Sequence, residues 1–432
     1  MMSPETTGLV GLLLLVVLLF FRMWIGAAMA MVGFVGYAYL MGIKPAFGVI
    51  SQIPFTTVGW YPMSTVPLFI LMGVILFNSE VGAALYETAY KWVGQLRGGL
   101  AMSTVVACAL FASITGVSAP AVVTMGKVAV PEMRKRRYDD RLATGSIVSA
   151  GTLAFLIPPS MAFIIYGILT EQSIGVLFMA GFLPGVMLTA LLLGTIVIIT
   201  IRRPHAGPPG SKTSFKEKIV SLKGTWHTIL LFLIVLGGIY GGIFTPTEAG
   251  AIGAFGAIMI TALSGRLTPR RFFDSLLEAA QTTAMVFLLI IGAYILMKFL
   301  AVSKLPFVLS EHVAGLPLPR MVIFAGIVLL YIVLGMFLDI FSAVIITIPV
   351  IYPLILALGF DPIWFGVIVV IVCQMGLITP PVGLDVFVLS GAIDVPLFTI
   401  FRGVVPFLLA MIIGIILLAA FPQIALFLPS TM

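Results

Sequence analysis

The stretch Leu153–Gly167, LAFLIPPSMAFIIYG, is apolar throughout, but the pair Pro158-Pro159 interrupts it in the middle. Proline cannot donate the helical hydrogen bond and clashes with the preceding turn, so the pair breaks a helix. The stretch Leu377–Leu389, LITPPVGLDVFVL, repeats the construction with a second Pro-Pro pair. A broken helix exposes backbone groups, which a membrane tolerates only beside protein or a water-filled cavity. The two stretches therefore predict paired discontinuous helices, the sequence feature that best marks a transport site.

The composition places the chain in a lipid bilayer. Of its 432 residues 61% are hydrophobic and 9% are charged. Apolar runs of about twenty residues, the length that a membrane-spanning helix needs, recur along it. The N-terminal run at 8–21 has no preceding basic region and no cleavage site, so we expect a retained helix. The two cysteines lie in apolar segments and the three histidines lack ligand spacing, so we expect no disulfide or metal framework. The sequence predicts an all-α polytopic membrane protein.

The apolar runs predict ten crossings and two helical hairpins. The crossings lie near 8–21, 24–42, 62–79, 138–170, 174–201, 224–243, 247–264, 275–302, 361–391 and 396–421. The segments 98–133 and 320–358 are too long for one span, and each has breakers near its middle, GVSAPA at 116–121 and GMFLD at 335–339. We expect each of these segments to enter the membrane and return to the same side as a re-entrant hairpin.

The placement of lysine and arginine tests this layout. The hairpin layout puts 18 of the 23 basic residues on one face. The positive-inside rule makes that face cytoplasmic and leaves both termini outside, as expected for a multi-pass protein of a bacterial or archaeal inner membrane. If 98–133 crossed only once, the basic cluster at 134–141 and the loop at 202–223 would lie on opposite faces. The hairpin layout is therefore preferred.

The chain contains a repeat. The polar loop at 202–223 is rich in Gly and Pro and separates two halves, each with five crossings and one hairpin. An odd number of crossings turns the second half upside down relative to the first. A shift of 222 positions aligns Pro131 with Pro353, Asp139 with Asp361, Pro158 with Pro380, Pro159 with Pro381 and Pro184 with Pro406. Matched breaks and odd parity predict an inverted repeat with a site near the midplane, where the halves meet.

The hairpin tips and helix breaks supply free backbone carbonyls and hydroxyls. Helix C-terminal carbonyls favour cations, and neutral oxygens with few carboxylates suit sodium better than a divalent metal. The candidate ion ligands are Gly116, Ser118 and Gly151 in the first half and Gly335, Asp339, Gly376 and Thr379 in the second. The alternative interpretation is that these residues only permit close helix packing, which is common in membranes.

Ionisable side chains within or beside apolar helices are costly in lipid, so they are functional candidates. Asp339, Lys298 and Asp385 are three such residues. Lys298 could neutralise a substrate carboxylate, pair with an acid, or extend to the interface from its position near a helix end. Asp385 could simply face the aqueous cavity.

Other segments have structural interpretations. Thr245-Pro246-Thr247-Glu248 predicts a helix start with a capping box. The segments 80–97 and 303–319 mix charged and apolar residues, which predicts arms along the cytoplasmic and outer interfaces. No phosphate-binding loop, zincin pattern or GxSxG elbow is present, so we expect no enzyme, no organic cofactor and no nucleic-acid partner. Energy for transport would come from an ion gradient or another subunit.

Several stretches together resemble the large membrane subunit of tripartite ATP-independent periplasmic (TRAP) transporters. They are PEMRKRRYDD (131–140), IPPS (157–160), SIGVLFMAGFLPG (173–185), GGIFTPTEAGAIGA (241–254), GMFLD (335–339), MGLITPPVG (375–383) and FPQIALFLP (421–429). The resemblance covers nearly the whole chain. One departure lies at the first hairpin tip, where the family's usual Gly-Ser-Gly-Ser reads GVSA at 116–119.

The resemblance implies a sodium-coupled symporter that imports small organic anions, usually carboxylates, by an elevator mechanism. A periplasmic substrate-binding protein would deliver the substrate, and a separate small four-helix membrane subunit would brace the scaffold. Matching positions imply ion ligands at Gly116, Ser118, Gly335, Asp339, Gly376 and Thr379. Ser160 and Lys298, with Pro159 and Pro381 at the breaks, are the candidates for substrate contact.

The same resemblance implies a division of the chain into moving and static parts. The transport part would comprise 98–170 and 320–391, each a hairpin followed by a broken helix. The scaffold would comprise 1–97, 171–319 and the C-terminal helix at 392–432. The alternative function is a stand-alone secondary carrier of organic anions, driven by protons or sodium, that needs no binding protein; a channel is a third, less favoured hypothesis.

Overall fold

The computed structural model describes residues 2–79 and 81–432, apart from the side chains of 112–115. The described residues form α-helices and short 3₁₀ turns, with no strand among them. The helices of the first half are α1 Pro4–Phe20, α2 Ile25–Met41, α3 Ile43–Val58, α4 Thr65–Asn78, α5 Val81–Val93, α6 Gly99–Thr115, α7 Ser118–Lys135, α8 Asp140–Gly151, α9 Met161–Thr170 and α10 Ile174–Arg202.

The second half begins with a helix inside the polar loop. Its helices are α11 Phe215–Ser221, α12 Trp226–Tyr240, α13 Pro246–Leu263, α14 Pro269–Ser303, α15 Leu305–Ala314, α16 Arg320–Phe337, α17 Ile340–Ala357, α18 Pro362–Ile378, α19 Leu384–Ala392, α20 Leu397–Ala420 and α21 Gln423–Leu426. The predicted helices all exist, and their ends agree with the sequence-based ranges to within a few residues, apart from α14, which begins earlier than expected.

By length and composition, seven of the described helices can cross a membrane, or eight if α11 and α12 form one bent span. This count is lower than the ten predicted crossings. Five of the seven are predicted crossings, namely α4 with the 3₁₀ turn before it, α10, α13, α14 and α20, and the other two, α16 and α17, are the arms of the second predicted hairpin, whose re-entrant path stays a prediction. The other predicted crossings fall short because the two broken ones are each divided into short helices, and because α1, α2 and α12 have 17, 17 and 15 residues. The finding agrees with a polytopic all-helical membrane protein.

Three helices lie outside the predicted crossings, hairpins and arms: α3, α11 and the single-turn α21. α3 is an exposed, partly polar helix that packs on α2 and α14, and its lysine, serine and glutamine residues hide it from a hydropathy reading. α11 begins with a capping box in the loop, since the Ser214 hydroxyl accepts from the backbone of Glu217 and the Glu217 carboxylate accepts from the backbone of Ser214. The hydrogen bond from the backbone N–H of Ser214 lowers the pKa of the Glu217 carboxyl from its ordinary value.

The predicted capping box at Thr245 is confirmed. The Thr245 hydroxyl accepts from the backbone N–H of Glu248 at 3.3 Å, and the Glu248 carboxylate accepts from the backbone N–H of Thr245 at 2.8 Å. Pro246 occupies the first turn of α13, where its missing N–H leaves no helical bond unmade.

Two pairs of helices cross with their backbones in contact. α2 crosses α14, since a Cβ added at Gly292 would lie 2.2 Å from the carbonyl oxygen of Gly26. α8 crosses α20 in the same way, since a Cβ added at Gly145 would lie 2.3 Å from the carbonyl oxygen of Gly403. Small residues at such crossings allow the dense packing that holds membrane helices together.

The helix boundaries recur along the chain. α7 begins at 118 and ends at 135, and α17 begins and ends 222 positions later, at 340 and 357. α8 and α18 begin at 140 and 362, and α9 and α19 end at 170 and 392, again 222 apart. The corresponding helices also exchange partners between the halves: α7 of the first half packs on α19 of the second, and α17 of the second half packs on α9 of the first.

Candidate functional site

Each hairpin has a two-residue tip. Gly116 and Val117 join α6 to α7, and Leu338 and Asp339 join α16 to α17. In the first tip Gly116 has φ +62°, a left-handed conformation that glycine adopts without strain. Both arms of each hairpin therefore end at one point beside a helix break.

The first tip lies against the first break. A Cβ added at Gly116 would lie 3.2 Å from the carbonyl oxygen of Pro159, so the tip and the break are in direct contact. Ser160 begins α9 and its buried hydroxyl accepts from the backbone of Phe163 at 3.4 Å and donates to the carbonyl of Phe155. The hydroxyl thus joins the two sides of the break.

Gly151 has a different environment. A Cβ added at this position would lie 2.3 Å from Cγ2 of Val122, so Gly151 lets α8 approach α7 closely. This contact agrees with the packing alternative, and the ion-ligand role of Gly151 stays a prediction.

In the second half, the last turn of α16, just before the tip, is in backbone contact with the last turn of α18, just before the break. A Cβ added at Gly376 of α18 would lie 2.5 Å from Cα of Gly335 on α16. The Thr379 hydroxyl donates to the carbonyl of Met375 at 2.6 Å, which leaves its lone pairs free to accept. The structure therefore brings three of the four predicted second-half residues together.

Asp339, the fourth, is the N-cap of α17. One carboxylate oxygen accepts from the backbone N–H groups of Phe341 at 3.1 Å and Ser342 at 3.2 Å, and the other accepts from the Ser342 hydroxyl. The carboxylate is partly exposed at the tip. It offers the second tip a negative charge that belongs to the hairpin itself.

Asp385 does not face an aqueous cavity, as the sequence allowed, but is buried beside the first hairpin. It is only 2% exposed, and its Oδ1 accepts from the Ser118 hydroxyl of the first tip at 2.9 Å. Its Oδ2 has no hydrogen-bond partner among the described residues. The correction has a simple cause: Gly383, with φ +64°, starts α19 beside α7, so the first turn of α19 points into the first hairpin rather than into water.

Gln374 is a polar residue that the sequence reasoning missed. It is fully buried on α18, two positions before Gly376, and neither its Oε1 nor its Nε2 has a partner in the described part of the chain. Buried polar atoms are ordinarily hydrogen-bonded, so such atoms beside a helix break are candidates for contact with an ion or water. The signal was available, because Gln374 is the one amide in the apolar run VIVVIVCQMGLI.

The remaining substrate candidates differ in their exposure. Pro159 is buried in the first break, whereas Pro381 is exposed in the second. Lys298 is exposed on α14, and its side chain makes no hydrogen bond or ion pair with any described residue. The described residues therefore give it no acid to pair with, while contact with a substrate and extension to the interface stay predictions.

The two hairpin ends present oxygen atoms of the same kinds. Each lies beside backbone carbonyls and hydroxyls together with one carboxylate, Asp385 at the first end and Asp339 at the second. Within the described residues, no group of three or more His, Cys, Asp or Glu side chains is placed to hold a metal ion. Sodium binding by these oxygen atoms stays a prediction.

Comparison with known proteins gives the family. Residues 12–424 match the family described as tripartite ATP-independent periplasmic transporter, DctM component. The chain is 33% identical over 377 residues to the C4-dicarboxylate TRAP transporter large permease protein DctM of Pseudomonas aeruginosa, covering 87% of this chain and 88% of that protein. It is 32% identical over 382 residues to the isethionate TRAP transporter permease protein DctMQ of Oleidesulfovibrio alaskensis, covering 88% of this chain and 60% of that protein.

A solved structure shares the fold. The YdaH transporter of Alcanivorax borkumensis superimposes with a TM-score of 0.65 at 16% identity, covering 88% of this chain and 89% of that one. The relatives are transporter permeases and not enzymes, and family members work with a substrate-binding protein and a small permease subunit. The predicted family is thereby confirmed: the chain belongs to the tripartite ATP-independent periplasmic transporters, as a large permease component.

Proposed function

We propose that this chain is the membrane-spanning subunit of a sodium-coupled symporter that imports small organic anions delivered by a periplasmic binding protein. The observation that carries the proposal is the contact of each hairpin with a broken helix of its own half: Gly116 of the first tip lies against Pro159, and Gly335, just before the second tip, lies against Gly376 of α18. The named relatives carry a C4-dicarboxylate and isethionate, both small organic anions. A carboxylate or sulfonate is therefore the expected substrate class.

Two sodium sites follow from the two tips. The first would use Gly116 and Ser118 with the Asp385 carboxylate, and the second would use Gly335, Asp339, Gly376 and Thr379. An anion in an apolar cavity is costly unless its charge is neutralised. Sodium bound at both breaks would supply that positive charge, so the ions and the anion would each favour binding of the other.

The inverted repeat underlies this arrangement. Its support is the recurrence of helix boundaries at 222 positions and the exchange of partners between α7 with α19 and α17 with α9. Two halves related by a two-fold axis in the membrane plane would place the two breaks together near the midplane.

We also propose an elevator motion with a larger moving body than the sequence suggests. α20 packs on α8, α10, α18 and α19, and α10 packs on α6, α8, α9 and α18. Moving the broken helices without α10 and α20 would separate the glycine crossing of α8 with α20. The body proposed to move therefore includes both helices, while α2, α4, α13 and α14 stay with the scaffold.

The setting of the complex follows from the same proposal. The arginine-rich ends would face the cytoplasm of a bacterial or archaeal cell, with both termini outside. A separate small four-helix membrane subunit would brace the scaffold; in the isethionate relative the longer length and the name DctMQ suit a fusion of both subunits.

The alternative is a stand-alone carrier driven by protons or sodium. One observation favours a proton: the buried Asp385 carboxylate has an oxygen without a described partner, and a neutral carboxyl is less costly in a dry site than a charged one. Requirement for the binding protein separates this alternative from the first proposal.

The test is uptake into proteoliposomes that contain this chain and its small partner. Organic acids and sulfonates are scanned under an inward sodium gradient, with and without the cognate binding protein, and at fixed pH with a proton gradient alone. Accumulation that needs both sodium and the binding protein supports the proposal. Accumulation without the binding protein would overturn the tripartite reading, and accumulation with protons alone would overturn sodium coupling.

A further inference from the structure

A cleft opens between α8, α10 and α20 at the arginine-rich end of the molecule. Its volume is about 850 Å³. At one end it is lined by Arg141 of α8, Arg202 and Arg203 at the end of α10, and Arg402 at the start of α20. Three helices of the body proposed to move thus present their basic ends to one cavity.

These four arginines are free to bind a ligand. All four are exposed, and none of their side chains has a hydrogen bond or ion pair to a described residue. Arg402 lies over the ring of Phe398 at 4.4 Å, which orients its guanidinium without neutralising it. The one acid in the lining, Asp139, is engaged as the N-cap of α8, where it accepts from a backbone N–H at 2.8 Å.

The rest of the cleft is apolar and faces outward. Ile198 on α10 and Leu409 and Ile413 on α20 line it and are 53%, 57% and 49% exposed. These side chains lie on membrane-spanning helices, beyond the arginines in the direction of the bilayer centre. The cleft therefore joins a basic head region to an apolar wall.

We propose that this cleft binds an anionic phospholipid from the cytoplasmic leaflet, with its phosphate among the four arginines and an acyl chain along α10 and α20. Charge complementarity selects the headgroup, because basic pockets between membrane helices at the cytoplasmic side favour acidic lipids. The apolar wall selects a lipid over a soluble anion, because acyl chains lose water contact along it. The bound lipid would hold the cytoplasmic ends of the three helices together.

The test measures lipid binding by the purified full-length chain in detergent, by native mass spectrometry. The probes are phosphatidylglycerol and phosphatidylcholine with the same acyl chains, and soluble glycerophosphoglycerol, which lacks the chains. We expect phosphatidylglycerol to bind at least about tenfold more tightly than either other probe. Equal binding of phosphatidylcholine, or equal binding of the soluble headgroup, would overturn the proposal.

Two variants locate the site. Arg202→Gln/Arg203→Gln/Arg402→Gln should weaken phosphatidylglycerol binding by about a hundredfold. The matched control Arg22→Gln/Arg97→Gln/Arg137→Gln removes the same charge from exposed arginines outside the cleft and should change little. An equal loss in the control triple would mean diffuse surface charge and would overturn the assignment.

The second variant keeps every charge. A Cβ at Gly194, inside the cleft, meets no atom within 4 Å, so Gly194→Trp should fill the apolar part without displacing a helix. We expect at least about a tenfold loss of phosphatidylglycerol binding. The control Gly237→Trp, on α12, also enters open space and should bind as the unmodified chain does. Unchanged binding by Gly194→Trp would contradict the acyl-chain part of the proposal.

Discussion

The two helix breaks are built from the same Pro-Pro motif but differ in exposure. The first break is buried, whereas Pro380 and Pro381 of the second are exposed. The difference comes from the helix that follows. A Cβ added at Gly181 of α10 would lie 2.6 Å from the carbonyl oxygen of Leu156, so α10 lies directly on the first break. Gly403, 222 positions later on α20, instead meets the backbone of Arg141 on α8. α20 reaches the second break at Gly383, through the Phe401 ring, and Pro380 and Pro381 stay exposed.

The tips differ in the origin of their charge. The second tip has its own carboxylate, Asp339, at the start of α17. The first tip has no acid and receives a carboxylate from α19 of the other half, through the Ser118–Asp385 hydrogen bond. A repeated backbone can therefore hold unequal chemistry, with one site local to a hairpin and the other shared between the halves.

Cysteine labelling tests the difference in exposure most directly. Ser160 and Val382 are separated by 222 positions and end the two breaks, and the native cysteines Cys108 and Cys373 are buried. We expect Val382→Cys to react with a water-soluble thiol reagent at least about ten times faster than Ser160→Cys, because buried thiols are inert. Equal rates under sodium-free conditions would contradict the packing described for the two breaks.

The backbone contact between Gly376 of α18 and Gly335 of α16 should tolerate little added volume. Gly376→Ala forces a Cβ to within 2.5 Å of Gly335, so we expect about 1–3 kcal/mol of lost stability and loss of uptake. Thermal unfolding in detergent and proteoliposome uptake measure both. Gly326→Ala on α16, where a Cβ meets no atom, is the control and should not lower stability. A fully active Gly376→Ala variant would argue against this contact.

At the Ser118–Asp385 contact between the halves, Asp385→Asn removes the negative charge and keeps the size of the side chain. Asparagine can still accept from Ser118, so we expect little change in the free energy of unfolding. Loss of the buried charge should raise the sodium concentration for half-maximal uptake by about tenfold. Unchanged sodium dependence, with uptake intact, would exclude the carboxylate from the first ion site. Ser118→Ala should cost about 1.5–3 kcal/mol of stability, measured by the same unfolding assay, because it leaves the buried Asp385 carboxylate without this hydrogen bond.

Asp339→Asn is the matched change at the local site. Asparagine caps a helix about as well as aspartate, so α17 should stay in place. Because Asp339 is partly exposed, water screens its charge and we expect a smaller effect, about threefold in half-saturating sodium. If Asp339→Asn raised the half-saturating sodium concentration more than Asp385→Asn does, the carboxylate of the second tip would be the more important of the two, contrary to our expectation.

The sequence predicted the parts of the fold that local chemistry decides. Proline pairs break helices wherever they occur, apolar runs form membrane helices, and the Thr245–Glu248 capping box needs only four adjacent residues. The positions of both hairpin tips and both breaks followed from these rules, whereas the family came from the resemblance of several stretches to the large membrane subunit of TRAP transporters. α3 was not predicted because its polar residues lower its hydropathy, although the helix packs on α2 and α14.

Contacts between distant residues were decided by the tertiary structure alone. Ser118 and Asp385 are 267 positions apart, and no local pattern shows that α19 directs its first turn into the first hairpin. The same holds for the backbone contact of Gly335 with Gly376, for the cover that α10 gives to one break only, and for the convergence of Arg141, Arg202 and Arg402 on one cleft. The physical reason is that burial and charge environment depend on which helices pack together, whereas helix formation and helix breaking depend on neighbours along the chain.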